Sequence, residues 1–306
     1  KESNKGDVFF SNSGAESIEA ALKIARNYGN QFKKDEIIAM TSSFHGRTIG
    51  ALSVGSNKNY KSNIGPVPGK VKFCEFNNSK QLKKLINKKT VAIIIEFVQG
   101  DGGINICTKE FAKTIKEICK KRKILLIADE IQGGIGRTGK IFAYKHYGVS
   151  PDIITSAKGL GSGIPIGATI VKKEISKNIN IGFHGSTFGG GMLQTRVAYN
   201  VFKIINKTSF LNNVKSKGVL LEQLLNKLHS KHDVIKEIRI KGLMAGIEFK
   251  NSELALKIYK ETSNQGLVTT LVKGTTIRIT PPLIIKSDEI KKGIKIISDC
   301  LSETKS

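Results

Sequence analysis

The sequence predicts an α/β fold with a mostly parallel sheet. Short β-branched and apolar runs recur along the chain, and stretches of helical period separate them. Most runs are near-continuously apolar, the pattern of parallel strands buried on both faces. Strand, helix and strand in turn imply right-handed crossovers.

The elements follow in order. A helix is expected over 15–28 and a strand over 37–40. A helix over 79–88 precedes a strand over 91–97. The helix over 108–122 opens on Thr108, with Glu110 in its first turn, a capped start. Strands over 124–128, 153–156 and 168–171 complete the large domain, set at residues 1–206. After residue 206 the texture changes. Helices over 210–229, 252–265 and 287–301 alternate with strands over 238–240, 245–249 and 276–280. A smaller C-terminal α/β domain is therefore expected over 207–306.

With 306 residues and 39% hydrophobic content, the chain can bury a sizeable core, which excludes a disordered protein. Cys74, Cys107, Cys119 and Cys300 form no CxxC pair, so neither a disulfide scaffold nor a cysteine zinc site is expected. A reducing, cytoplasmic setting fits that usage, and no apolar run reaches the ~20 residues of a membrane-spanning helix. No metal is expected. The net charge of +25 raises a polyanion-binding module as a rival. The lysines, however, are spread along the chain in small groups such as Lys120 to Lys123, with few aromatics for base stacking. A solvated basic surface is the better reading, with no specific nucleic-acid partner.

Gly134-Ile-Gly136-Arg-Thr-Gly139 matches a dinucleotide fingerprint, but Asp129 and Glu130 stand where a pyrophosphate would sit. Ile141 likewise replaces the hydroxyl residue of a phosphate-binding P-loop. The stronger constellation pairs Asp129, at the carboxyl end of the strand over 124–128, with Lys158, just past the strand over 153–156. Ligands bind at such ends in open α/β sheets. Pyridoxal phosphate needs a lysine for its Schiff base and an acid to keep its ring nitrogen protonated. From these two residues alone, an ordinary buried ion pair is the simpler account.

Further segments extend the pattern: Asn12-Ser13-Gly14-Ala15-Glu16, Ser43-Phe44-His45-Gly46-Arg47-Thr48, Gly136-Arg137-Thr138-Gly139, Ala157-Lys158-Gly159, Gly185-Ser186-Thr187-Phe188-Gly189 and Arg278-Ile-Thr-Pro281-Pro282. In this order, from Val8 to about Leu301, the chain resembles the class III, ornithine-type aminotransferases. The resemblance implies a fold-type I pyridoxal-phosphate-dependent transferase acting as a homodimer with shared active sites. By similarity Lys158 carries the cofactor and Asp129 pairs with its ring nitrogen. Gln132 lies near its phenolic oxygen and Phe44 stacks on the ring. Ser13, Gly14 and Ala15 hold the phosphate, and Thr187 reaches it across the dimer. Ser186 lies beside the substrate, while Arg47 and Arg278 bind substrate carboxylates. The implied reaction moves the terminal amino group of N-acetylornithine to 2-oxoglutarate, giving glutamate, in arginine biosynthesis. Ornithine, succinyl-diaminopimelate and 4-aminobutyrate are alternative donors, and an inactive truncated remnant is the alternative of another class.

The chain departs from the family pattern at several points. Asp101 replaces the glutamate that masks the second arginine, and its shorter reach suggests a backbone shift or a bridging water. Gly133 replaces a threonine, and Gly191-Met192 replaces Asn-Pro. The sequence also begins well inside the family's, so a fragment or a truncated product is expected. The family's N-terminal part covers the active site and contributes to the dimer.

Overall fold

The computed structural model describes residues 6–303. The chain runs β1 (Asp7–Ser11), α1 (Gly14–Asn30), β2 (Glu36–Met40), α2 (Ile49–Val54), β3 (Lys70–Cys74), α3 (Ser79–Leu85) and β4 (Thr90–Ile95). It continues with β5 (Val98–Gln99), β6 (Asn105–Ile106), α4 (Lys109–Arg122), β7 (Leu125–Asp129), β8 (Ile153–Ser156) and β9 (Gly167–Val171). Helices α5 (Lys173–Ser176), α6 (Met192–Ile205) and α7 (Thr208–His229) follow. The remainder is β10 (Ile235–Ile240), β11 (Ala245–Phe249), α8 (Ser252–Asn264), β12 (Thr270–Val272), β13 (Thr276–Ile279) and α9 (Ser287–Glu303).

A seven-stranded sheet has the order β1-β9-β8-β7-β4-β2-β3. From β3 to β8 the neighbouring strands are parallel. β9 reverses direction and β1 pairs antiparallel with it at the edge. The continuous apolar runs are explained by two cores, one on each face. Ile38, Ile93, Ile95 and Leu126 meet Phe111 and Ile115 of α4. Their sequence neighbours Ile37, Ile94, Leu125 and Ile127 meet Ile18, Ala21 and Leu22 of α1. Side chains alternate across a strand, so a strand between two helix layers must be apolar at every position.

The smaller sheet is antiparallel, in the order β10-β11-β13-β12. Ile247 and Ile277 on one face form a third core with Val214 and Leu221 of α7 and Ile294 and Ile297 of α9. The architecture is thus a large mixed-sheet domain with a smaller C-terminal domain.

Eight elements escape the sequence reading: β1, α2, β3, β5, β6, α5, α6 and β12. β3 alternates Lys70 and Lys72 with Val71 and Phe73, the habit of an edge strand guarded by charge. It therefore contains no continuous apolar run. α6 opens at Met192 on a Gly191 cap, so the Gly-Met departure still permits a helix start there. Gly134 to Gly139 form turns and open no helix, which leaves the dinucleotide fingerprint without its helix.

Candidate active site

The carboxyl ends of the parallel strands converge on one cavity of about 290 Å³. Its walls include Gly14, Ala15, Phe44, Arg47, Asp101, Asp129, Gln132 and Lys158. A second cavity of about 500 Å³ shares Gln132 and Lys158 with it and extends toward α6 and Pro282. Most of the site residues expected from the sequence therefore meet.

Each is placed by local structure. Ser13 caps α1, its Oγ accepting the Glu16 N–H at 3.2 Å, and Glu16 in return accepts the Asn12 N–H at 2.7 Å. Gly14 and Ala15 are the first residues of that helix, where unpaired N–H groups and the dipole favour a phosphate. The cradle is tight: a Cβ at Gly14 would lie 2.9 Å from Ile131, and one at Gly46 the same distance from Ala15. Lys158 follows β8 in a left-handed conformation, φ +46°, which turns the chain at the cavity wall.

Asp129 is buried, and both its oxygens accept hydrogen bonds. Its Oδ2 accepts from His45 Nδ1 at 2.6 Å, and its Oδ1 from the Ile131 N–H at 3.0 Å and Thr155 Oγ1 at 3.3 Å. Burial alone would lower the His45 pKa, but the Asp129 carboxylate, with Glu96 nearby, raises it above the usual histidine value. The His45 bond fixes the orientation of the Asp129 carboxylate. Glu96 ties the neighbouring loops, accepting the Phe44 N–H at 2.9 Å and the Gly100 N–H at 3.4 Å. Burial pushes its carboxyl upward. Sequence reasoning gave His45 and Glu96 no role. His45 lies inside a quoted motif, but its partner Asp129 is 84 residues away, which no local pattern shows.

Arg278 pairs directly with Asp101, and the Arg278 side chain is mostly buried. The contact is direct and needs no bridging water, because the hairpin between β5 and β6 brings Asp101 up to Arg278. Arg47 is exposed at the cavity wall, its guanidinium 4.6 Å from the Tyr60 ring centre. Ser186 lies at the start of α1, its Oγ accepting from Asn12 Nδ2 at 3.1 Å. Neither Ser186 nor Thr187 lines the two cavities, and Thr187 is exposed.

The residues present fit pyridoxal phosphate. Gln132 Oε1 is buried without a hydrogen-bond partner among the described residues, at the wall shared by the two cavities. An amide offers a donor or an acceptor according to its flip, which suits a phenolic oxygen. A helix N-terminus, a braced aspartate and a lysine surround the same space.

Glu130 supports the site from behind. It is fully buried, and its oxygens accept the Ala143 and Tyr144 N–H groups at 2.7 and 2.8 Å. Burial outweighs those bonds and lifts its pKa from 4.5 to about 8. The folded chain then holds this proton more tightly than the unfolded chain. The resulting stability is complete below pH 4.5 and is lost as pH rises to about 8. The melting temperature of the cofactor-free protein, minus that of Glu130→Gln, is predicted to fall across this range. A difference that does not change with pH would refute the shift.

An α/β sheet that gathers a lysine, an aspartate and a helix N-terminus at its carboxyl edge defines a cofactor-dependent transferase site. The chain belongs to the class-III aminotransferases, whose family model matches residues 1–301. It is 43% identical over 301 residues to an acetylornithine aminotransferase of Caldanaerobacter subterraneus subsp. tengcongensis, covering 97% of this chain and 76% of that protein. It is 40% identical over 299 residues to a succinylornithine transaminase of Yersinia pseudotuberculosis, covering 94% of this chain and 72% of that protein. The structure of an ornithine aminotransferase from Toxoplasma gondii, with pyridoxal phosphate at partial occupancy, superposes with a TM-score of 0.92. The two are 30% identical, and the match covers 98% of this chain and 74% of that one.

Proposed function

We propose that the chain is a pyridoxal-phosphate-dependent aminotransferase that moves the terminal amino group of N-acetylornithine to 2-oxoglutarate, in arginine biosynthesis. The observation that carries this reading is the meeting of Lys158, Asp129 and the start of α1 around one cavity, with Arg47 at its wall. When bound, the cofactor supplies an electron sink beside the substrate's reacting carbon.

This chain's residues do the rest. The N–H groups of Gly14 and Ala15 hold the phosphate. Asp129, oriented by His45, holds a proton on the ring nitrogen. Phe44 covers the ring, and Gln132 bonds the phenolic oxygen. Lys158 would hold the cofactor, and its amine stands where it would move a proton at the substrate's reacting carbon. Arg47 grips a carboxylate with its planar fork.

Asp101 and Arg278 support a donor with no carboxylate at its reacting carbon, the class to which N-acetylornithine belongs. Acetylornithine brings no carboxylate to the reacting carbon, so an unmasked Arg278 would be a desolvated, unpaired charge. The Asp101 pair covers it. Glutamate brings a carboxylate there, and Asp101 must then release the arginine. Asp101→Ala is expected to slow the acetylornithine half-reaction more than the glutamate half-reaction, and Arg278→Ala to do the reverse. Single-turnover absorbance of each half-reaction checks this, and parallel losses would reduce Asp101 to a structural role.

The homodimer belongs to the same proposal. Thr187 is exposed beside exposed Phe188, Met192 and Leu193, a surface suited to a second copy, and sedimentation at the monomer mass would contradict it. A cytoplasmic setting rests on four free cysteines. The deciding experiment is turnover of N-acetylornithine, succinylornithine, ornithine, succinyl-diaminopimelate and 4-aminobutyrate with 2-oxoglutarate. A higher kcat/KM for any donor other than N-acetylornithine would overturn the substrate assignment.

A further inference from the structure

Three residues stand in one row across the smaller sheet. Gly246 of β11 pairs with Arg239 of β10 on one side and with Arg278 of β13 on the other. Directly paired residues share a face, so both arginines flank the notch that Gly246 leaves. The loop carrying Asp101 lies in this notch. A Cβ at Gly246 would come within 3.1 Å of Ile104 and 3.2 Å of the Gly103 carbonyl oxygen. Ile104 is fully buried with Val98 and Met244 and has φ +60°, a strained conformation for a β-branched residue that only close packing maintains.

Arg239 holds the other side of the loop. Its Nε donates to the Gly103 carbonyl at 2.8 Å, and its Nη1 donates to Glu248 at 2.5 Å and to Glu237. The Arg239 side chain is only 12% exposed. The two acidic partners fix the guanidinium, and the guanidinium fixes Gly103, two residues after Asp101. Arg278 meets Asp101 itself. The loop is therefore gripped by one arginine at its backbone and by the other at its carboxylate.

We propose that Arg239 is a positioning residue for the Asp101–Arg278 pair. Seated over Gly246, the loop brings an aspartate, one methylene shorter than glutamate, into direct contact with Arg278. Arg239 sets how firmly Asp101 masks Arg278 against an incoming carboxylate. The proposal rests on the reading of Arg278 as a carboxylate-binding group.

The test is calorimetric binding of glutarate, an unreactive dicarboxylate, to the cofactor-loaded protein. Arg239→Lys keeps the charge but loses the fork that serves Gly103 and two carboxylates together. Gly246→Ala lifts the loop without altering any charge. Each is expected to loosen the mask and tighten glutarate about three- to tenfold, the scale of one net hydrogen bond. Asp101→Ala should tighten it similarly, and adding either change to Asp101→Ala should tighten it no further. Gains that multiply in the combined variants would show that Arg239 acts independently of Asp101 and overturn the proposal. So would unchanged glutarate binding in both Arg239→Lys and Gly246→Ala while Asp101→Ala tightens it. If Arg278→Ala leaves glutarate binding intact, the carboxylate role of Arg278 fails, and the proposal falls with it.

Discussion

Lys158→Ala is expected to lower transamination by at least ~10³-fold, within the range that a positioned acid–base group contributes. The loss should be larger if the covalent link also matters. Lys158 lines both cavities, and its side chain is exposed rather than packed in the core. Its removal should therefore change the stability of the cofactor-free protein by less than about 0.5 kcal/mol. Lys158→Arg separates charge from chemistry. A guanidinium stays protonated at working pH, so it can neither form the link nor move a proton. Both variants should be equally inactive. Borohydride reduction followed by mass spectrometry should fix the cofactor to the wild type and to neither variant. A variant retaining a tenth of wild-type turnover would remove Lys158 from the mechanism.

Asp129→Asn should cost about 10²- to 10³-fold in kcat, the scale of removing one preorganised electrostatic group. The donor KM should change much less. Asn has the same shape but no charge, so it cannot hold a proton on the cofactor's ring nitrogen. It also disrupts the brace. Asp129 accepts from His45 through one oxygen and from the Ile131 N–H through the other. Asn can accept through only one of these positions, leaving a buried donor unpaired at about 1–3 kcal/mol. His45→Gln should then show a smaller kcat loss in the same direction, because the Asp129 charge remains. Steady-state kinetics checks both, and equal losses in kcat and kcat/KM would support the assigned role. A loss confined to KM would contradict it.

The sequence by itself determined the layering and the chemistry-bearing ends of the strands. Strands buried on both faces must be apolar at each position, so β4, β7 and β8 are visible as continuous runs. Asp129 and Lys158 follow two of these runs directly, and their place at the sheet's carboxyl edge follows from strand direction alone. α4 is legible because Thr108 caps it and its apolar residues recur at helical spacing. These features are local: a few neighbouring residues contain the whole physical signal.

Only the tertiary structure decided how distant segments pair. β1 and β3 are edge strands whose exposed faces dilute the apolar pattern. The His45–Asp129 bond, the loops tied by Glu96 and the direct reach of Asp101 to Arg278 join residues from separate elements. The last is the clearest case. From side-chain length alone Asp101 is too short, yet Gly246 leaves a notch and Arg239 holds the loop within it. Reach depends on where two backbones are packed, and a side chain's chemical identity carries no information about that distance.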